Sequence, residues 1–379
     1  MTRVRLGEIC ERLSSGKSIK AAEVQDSGTY PVIGGNGLRG YAERYNFDGE
    51  CAVIGRQGAA CGNVRFHSGK AYMTEHAVVA VANESNDSHY LAYLLSTMSL
   101  GRLSAQSAQP GLSVKTLSKQ EIDLPSLEKQ RQVVEVIGGI DAKIRVNAKL
   151  NGYLEELLLA KYDKLFPVNA DFTGILSDVG TIIGGATPSK KRSEYYCSNG
   201  IGWITPRDLS NTSDKFIAHG ADDITDEGYA SCSAKLLPKG SVLFSSRAPI
   251  GYIAIAADAV ATNQGFKSIV PKEEIGTAFV YCFLVRNKQR IADMGAGTTF
   301  PEVSGKMMKS VELAIPEQTL CAEFDFFAGP ILKRQEALER ENRELAALRD
   351  ALLPKLMSGE IDVSKVDLTQ LNSHLLHYV

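Results

Sequence analysis

The side chains best suited to chemistry in this chain are arginines, lysines, asparagines and glutamines set among glycines. In the first half, Asn36 and Arg39 lie in GGNGLRGY (34–41), and Arg56 and Gln57 lie in IGRQG (54–58). Arginine donors match the guanine edge, and asparagine or glutamine can pair with adenine. Flanking glycines let a backbone come close to a large ligand. The same glycines also suit plain tight turns, and Arg56 could equally answer a buried carboxylate. Gln106, Gln109 and Lys115 extend this set. In the second half the run GGATPSKKR (184–192) ends in Lys190, Lys191 and Arg192, the most basic spot in the chain. Three cations on a turn suit phosphate positioning more than base discrimination; a solvated charge run is the alternative. Arg207, Arg247, Asn263, Gln264, Thr298 and Thr299 complete the candidate contact residues.

Motifs for other chemistry fail on their surroundings. Ser15-Gly16-Lys17-Ser18 looks like the end of a P-loop, but the first glycine would fall at Glu11, whose carboxylate repels phosphate. GNGLRG (35–40) satisfies GxGxxG after the strand-like YPVIG, yet YAERYNFDG offers no amphipathic helix to supply a dipole. There is no GxSxG, no HExxH, no Asn/Asp-Pro-Pro-aromatic tetrapeptide for a target adenine, and no Glu-x-Lys pair of metal-dependent nucleases. His67 and His76 bracket a strand-like run without partners at metal or triad spacing. The seven cysteines include no CxxC and read as small buried hydrophobes in a reducing compartment. The expectation is a binder with no catalytic residue and no metal.

Balance of charge narrows the class further. With 42 Lys+Arg against 44 Asp+Glu, no global basic signature marks a nucleic-acid binder, so any DNA contact must come from local cation clusters. The start, MTRVRLGEICERL, lacks the apolar core of a signal peptide, and no run suits a membrane span, which points to a cytoplasmic protein.

The elements that must position these residues occur twice. An apolar run ends at Pro125 and again at Pro316, an offset of 191, and each proline launches a long heptad-patterned stretch. At that offset Arg56 falls on Arg247, Tyr90 on Tyr281, Ser113 on Ser304 and Asn151 on Asn342. Glycine-rich short strands and one helix predict an α+β unit over 1–125, repeated over 167–316 with an extra segment between Gly180 and Lys239 that holds Trp203. Between them, 126–166 carries apolar residues at 133, 137, 140, 144, 154 and 158, the spacing of a coiled-coil seam. The second stretch, 317–358, carries Leu320, Phe324, Phe327, Ile331, Leu338, Leu345, Leu348 and Leu352. Each helix, about 40 residues and about 60 Å long, is too apolar on one face to stand alone. The fold class expected is two tandem repeated α+β domains separated by two long helices that pair as an antiparallel coiled coil. Asn147, Asn151 and Asn342 fall on the seam, where a buried Asn fixes register at some loss of stability; at a solvated edge they would be merely polar. Gly359 marks a helix stop before a tail over 359–379.

Several stretches together resemble a known family: GGNGLRGY (34–41), IGRQGAACGNV (54–64), Thr74-Glu75-His76, SSRAPIGYIAIA (245–256), TNQGFKSI (262–269) and LRDALLPKLMSGEI (348–361). In these, and in the order of its parts, the chain resembles the DNA-specificity subunit of type I restriction-modification systems. The resemblance implies a non-catalytic reader of double-stranded DNA, with target recognition domains at 1–125 and 167–316 each reading one half of a bipartite asymmetric site. It implies spacer helices at 126–166 and 317–358 that set the gap and dock two adenine methyltransferase subunits. S-adenosylmethionine would be bound by those subunits, and motor-nuclease subunits are a further partner. The rival from another class is a duplicated coiled-coil scaffold that binds protein only; the basic loop and the recurring Arg56/Arg247 count against it. A nucleotide-dependent enzyme would rest on SGKS and GNGLRG alone.

Overall fold

The computed structural model describes residues 1–104, 111–167, 171–295 and 301–365. The chain forms two compact units, Met1–Ile144 with Glu344–Val379, and Arg145–Arg343. This division runs through both long helices, Leu127–Leu165 and Gln318–Ser358. Each unit therefore owns a part of each helix and packs its globular part on them. None of the described helices is long and apolar enough to cross a membrane.

The first unit is built on an antiparallel sheet ordered Cys10–Ser15, Ala77–Ala82, Glu50–Gly55, Val64–Ser68. Its apolar runs are continuous because both faces are covered. Ala52, Ile54, Val78 and Ala80 join one core with Tyr90, Leu91 and Leu95 of the helix Ser88–Thr97. Their neighbours Cys51, Val53, Ala77 and Val79 face the opposite way, onto Phe47 and Met73. The helix starts at Asp87, whose carboxylate accepts from the backbone N–H groups of His89 and Tyr90. Val133, Ile137 and Leu356 of the long helices close the first core.

A five-stranded sheet organises the second unit, ordered Gly180–Gly184, Lys267–Pro271, Val242–Ser246, Ile250–Ala256, Phe216–Ile217, with only the last pairing parallel. The helix Thr277–Asp293 covers it, and Leu158, Phe324, Ala328 and Ile331 of the long helices complete its core.

The repeat seen in sequence is a repeat of elements. The ends of Glu50–Gly55 and Val242–Ser246, the short helices Val114–Ser118 and Gly305–Lys309, and the starts of the long helices all obey the 191 offset. Ser113 and Ser304 recur because each caps the short helix it precedes, accepting from the N–H of Thr116 at 3.0 Å and of Met307 at 3.2 Å. Before the central strands the offset falls to 170, Leu6–Ile9 matching Leu176–Val179. The second unit thus holds 21 more residues between its first and central strands, where Trp203 sits.

On the second long helix the expected stripe needs correction. Leu348 is 45% exposed and Phe327 only half-buried. The buried four-three spacing instead runs Phe324, Ala328, Ile331, Gln335, Leu338. A search for bulky apolar residues passes over a small Ala328 and a polar Gln335. Gly359, at φ +77°, stands where the helix stop was expected.

Candidate nucleic-acid interface

In the first unit, four backbone segments meet at one end of the sheet because glycines let them. A Cβ on Gly16 would lie 2.2 Å from the Met73 carbonyl oxygen, one on Gly35 2.7 Å from that of His76, and one on Gly55 2.0 Å from that of Ala60. The gaps are closed by backbone bonds from Lys17 N–H to Met73 and from Arg56 N–H to His76, at 2.9 and 3.0 Å. SGKS owes its glycine to this junction and not to phosphate binding. GNGLRG is likewise the turn of a β-hairpin, Tyr30–Gly34 with Gly37–Ala42, in which Gly37 takes φ +96°.

This junction presents the candidate readers. Asn36 is exposed at the hairpin tip and Arg39 on its outgoing strand; Gln57 is exposed after the central strand. Arg56 is half-buried, its carbonyl accepting from Leu112 N–H at 2.9 Å, while its guanidinium has no ion pair among the described residues. Lys115 is exposed on the helix Val114–Ser118. Gln106 and Gln109 lie outside the described residues. Sequence reasoning missed Arg65 and Arg102, which line an open polar cleft with Asn63 and Ser99. Arg65 is an outward residue of Val64–Ser68, and that alternation was the available signal.

The second unit repeats the junction. A Cβ on Gly185 would lie 2.2 Å from the carbonyl oxygens of both Thr262 and Asn263. From there the basic loop is held by three bonds: Ala186 N–H to Thr262 O at 2.9 Å, Trp203 Nε1–H to Ala186 O at 3.0 Å, and Tyr196 O–H to Pro188 O at 2.7 Å. Thr187 bonds the side chain of Gln264. Lys190, Lys191 and Arg192 are exposed, and Arg192 sits 3.9 Å from Glu194 and over the Tyr195 ring. Asn263 spends its side-chain Oδ1 on accepting from Gly265 N–H at 2.8 Å, a turn of the chain's own. Arg207 is exposed on the short helix Pro206–Ser210. Arg247 lies 3.9 Å from Glu302, which Lys267 also approaches at 3.3 Å. Thr298 and Thr299 lie outside the described residues.

The three seam asparagines lie in the second unit. Asn147 is 1% exposed, so it stands in the seam and not at a solvated edge. Its amide donates across to Glu341 at 2.9 Å and to Asn342 at 3.0 Å, and that of Asn151 to Glu339 at 3.0 Å. Such bonds are satisfied in one register only. In the first unit Arg349 bonds Asp141 at 2.9 Å across the same helices, and Tyr93 donates to the other oxygen of Asp141.

Nothing in the described residues gathers three or more metal-ligating side chains. Burial pushes the thiols of Cys10 and Cys51 up to about 12, so they are protonated at neutral pH and unsuited to nucleophilic work. The arrangement offers exposed amides and cations on rigid, glycine-built junctions, a geometry for binding.

Residues 1–156 and 173–324 match the family model described as type I restriction modification DNA specificity domain. The specificity subunit of type I restriction enzyme MjaIX of Methanocaldococcus jannaschii is 39% identical over 180 residues, 45% of this chain and 41% of that protein. That of EcoprrI of Escherichia coli is 38% identical over 143 residues, 37% of this chain and 35% of its own length. The chain thus spans well under half the length of these curated relatives. The crystal structure of the S subunit of a type-I restriction-modification system from M. genitalium shares the fold, with TM-score 0.64 over 94% of this chain and 95% of that one, at 16% identity.

Proposed function

The chain belongs to the family of type I restriction-modification DNA specificity domains, and from that premise we propose that it is the non-catalytic DNA-reading subunit of a modification complex. Each unit reads one half of a bipartite, asymmetric site in double-stranded DNA. The paired long helices set the gap between the halves and dock two adenine methyltransferase subunits, which hold S-adenosylmethionine; motor-nuclease subunits join the same complex. The protein then works in the cytoplasm, on chromosomal DNA.

One observation carries the reading. Both units build a glycine junction where an arginine follows the central strand and an exposed amide lies on an adjoining segment: Arg56 precedes Gln57, and Arg247 follows Ser246, whose N–H donates at 2.7 Å to the carbonyl of Gly265, next to Gln264. The two arginines, shared at the 191 offset, suit a common phosphate-positioning role, and the amides can pair with adenine edges. The residues that differ between the repeats are where two different half-sites would have to be told apart, while the basic loop Lys190–Arg192 suits phosphate positioning.

The test is co-expression with the cognate methyltransferase in a host lacking adenine methylation, followed by single-molecule mapping of modified adenines. A split motif, methylated once on each strand only when this chain is present, is the expected result. An assembled complex that leaves genomic methylation unchanged would refute the assignment.

A further inference from the structure

The second unit contains a buried charge that none of the DNA-facing geometry uses. Lys215 is 8% exposed, and its ammonium donates to Gln335 at 2.7 Å and to the carboxylate of Glu155. It also lies 4.5 Å from the centroid of the Tyr281 ring, whose hydroxyl donates to the other oxygen of Glu155 at 2.8 Å. The backbone follows the side chain. The N–H groups of Lys215 and Phe216 both donate to Glu339 at 3.0 Å. Phe216 opens the edge strand of the five-stranded sheet. One carboxylate from the first long helix, and an amide and a carboxylate from the second, thus grip one edge of that sheet.

Apolar packing tolerates sliding, whereas two consecutive backbone N–H groups on one carboxylate do not. Buried ion pairs add little net stability compared with apolar replacements of similar volume, and in some proteins buried polar groups instead select one arrangement. At the 191 offset Glu155 corresponds to Ala346, Gln335 to Ile144 and Glu339 to Ala148, so the repeat does not supply these same partners a second time.

We propose that Lys215 is a positioning residue that latches the sheet of the second unit to its long helices, and that this latch narrows the range of gaps the protein accepts between half-sites. The inference rests on the bipartite reading above. Its test uses the full chain in complex with the cognate methyltransferase and a set of duplexes that keep both half-sites while the gap is varied by single base pairs. Wild type should methylate one gap strongly. Lys215→Met, with an unchanged melting transition and unchanged half-site sequences, should raise methylation of the neighbouring gaps relative to the preferred one by about tenfold, the scale of one lost charged hydrogen bond. A folded Lys215→Met variant with the wild-type gap profile, or one that loses methylation equally at every gap, overturns the latch. Should that variant not fold, Glu339→Gln keeps an acceptor oxygen and must show the same broadening; a wild-type profile there again overturns it. Wild type that methylates no split site at any gap overturns the bipartite reading, and the latch with it.

Discussion

Arg56 and Arg247 occupy the same step of the repeat, each following the central strand of its sheet, but their surroundings differ. In the first unit the guanidinium of Arg56 has no carboxylate beside it among the described residues; in the second, Glu302 lies 3.9 Å from Arg247 and 3.3 Å from Lys267. Tyr90 and Tyr281 diverge in the same way. The Tyr281 hydroxyl is bonded to Glu155, while that of Tyr90 is buried without a partner among the described residues. Shared positions in a duplicated fold therefore share a backbone duty more faithfully than a side-chain duty. The glycine junctions are common to both units, and what the surrounding side chains do has drifted apart.

The strongest test of that comparison is Gly16→Ala against Gly185→Ala. Both put a methyl group 2.2 Å from backbone carbonyl oxygens, and each should cost about 3 kcal/mol of stability in thermal or denaturant unfolding. One silent variant would show that the junctions are not equivalent. Next in size is Tyr281→Phe against Tyr90→Phe. The first strips a donor from a half-buried carboxylate and should cost about 1 kcal/mol, whereas the second removes a hydroxyl with no partner among the described residues and should be neutral or stabilising. Equal losses at the two sites would erase the distinction drawn here. The last effect concerns DNA. Arg56→Ala should weaken binding of the assembled complex about tenfold at moderate salt, and Arg247→Ala by less, because Glu302 already offsets part of its charge. Wild-type affinity in Arg56→Ala, measured by titration on the mapped site, would remove that residue from the interface.

Much of this architecture was legible from residue spacing. The heptads at Val133, Ile137 and Ile140 predict the first long helix, and all three are buried. The 191 offset reflects the order of strands and caps, since Ser113 and Ser304 do the same local work. The polar part of the seam was harder to read. Gln335 and Glu339 carry no hydrophobic signal, and the groups that satisfy Glu339 come from the backbone at Lys215, more than a hundred residues away in sequence. Gly16 was visible inside a phosphate-binding look-alike, but its reason is a carbonyl oxygen contributed by Met73. Arg65 and Arg102 share a cleft only because the strand Val64–Ser68 and the turn around Gly101 come together in space.

The buried cysteines have a practical consequence. Cys51 belongs to the first unit, and Cys282 and Cys321 to the second. Burial raises all three, Cys51 to about 12, Cys321 to about 11 and Cys282 upward as well. Alkylating reagents attack the thiolate, so in the folded protein these sulfurs are shielded by both occlusion and protonation. Each half of the molecule thereby carries its own internal clock for local opening. Pulse alkylation followed by peptide mass spectrometry can time the two halves separately in one tube, with no probe added to either.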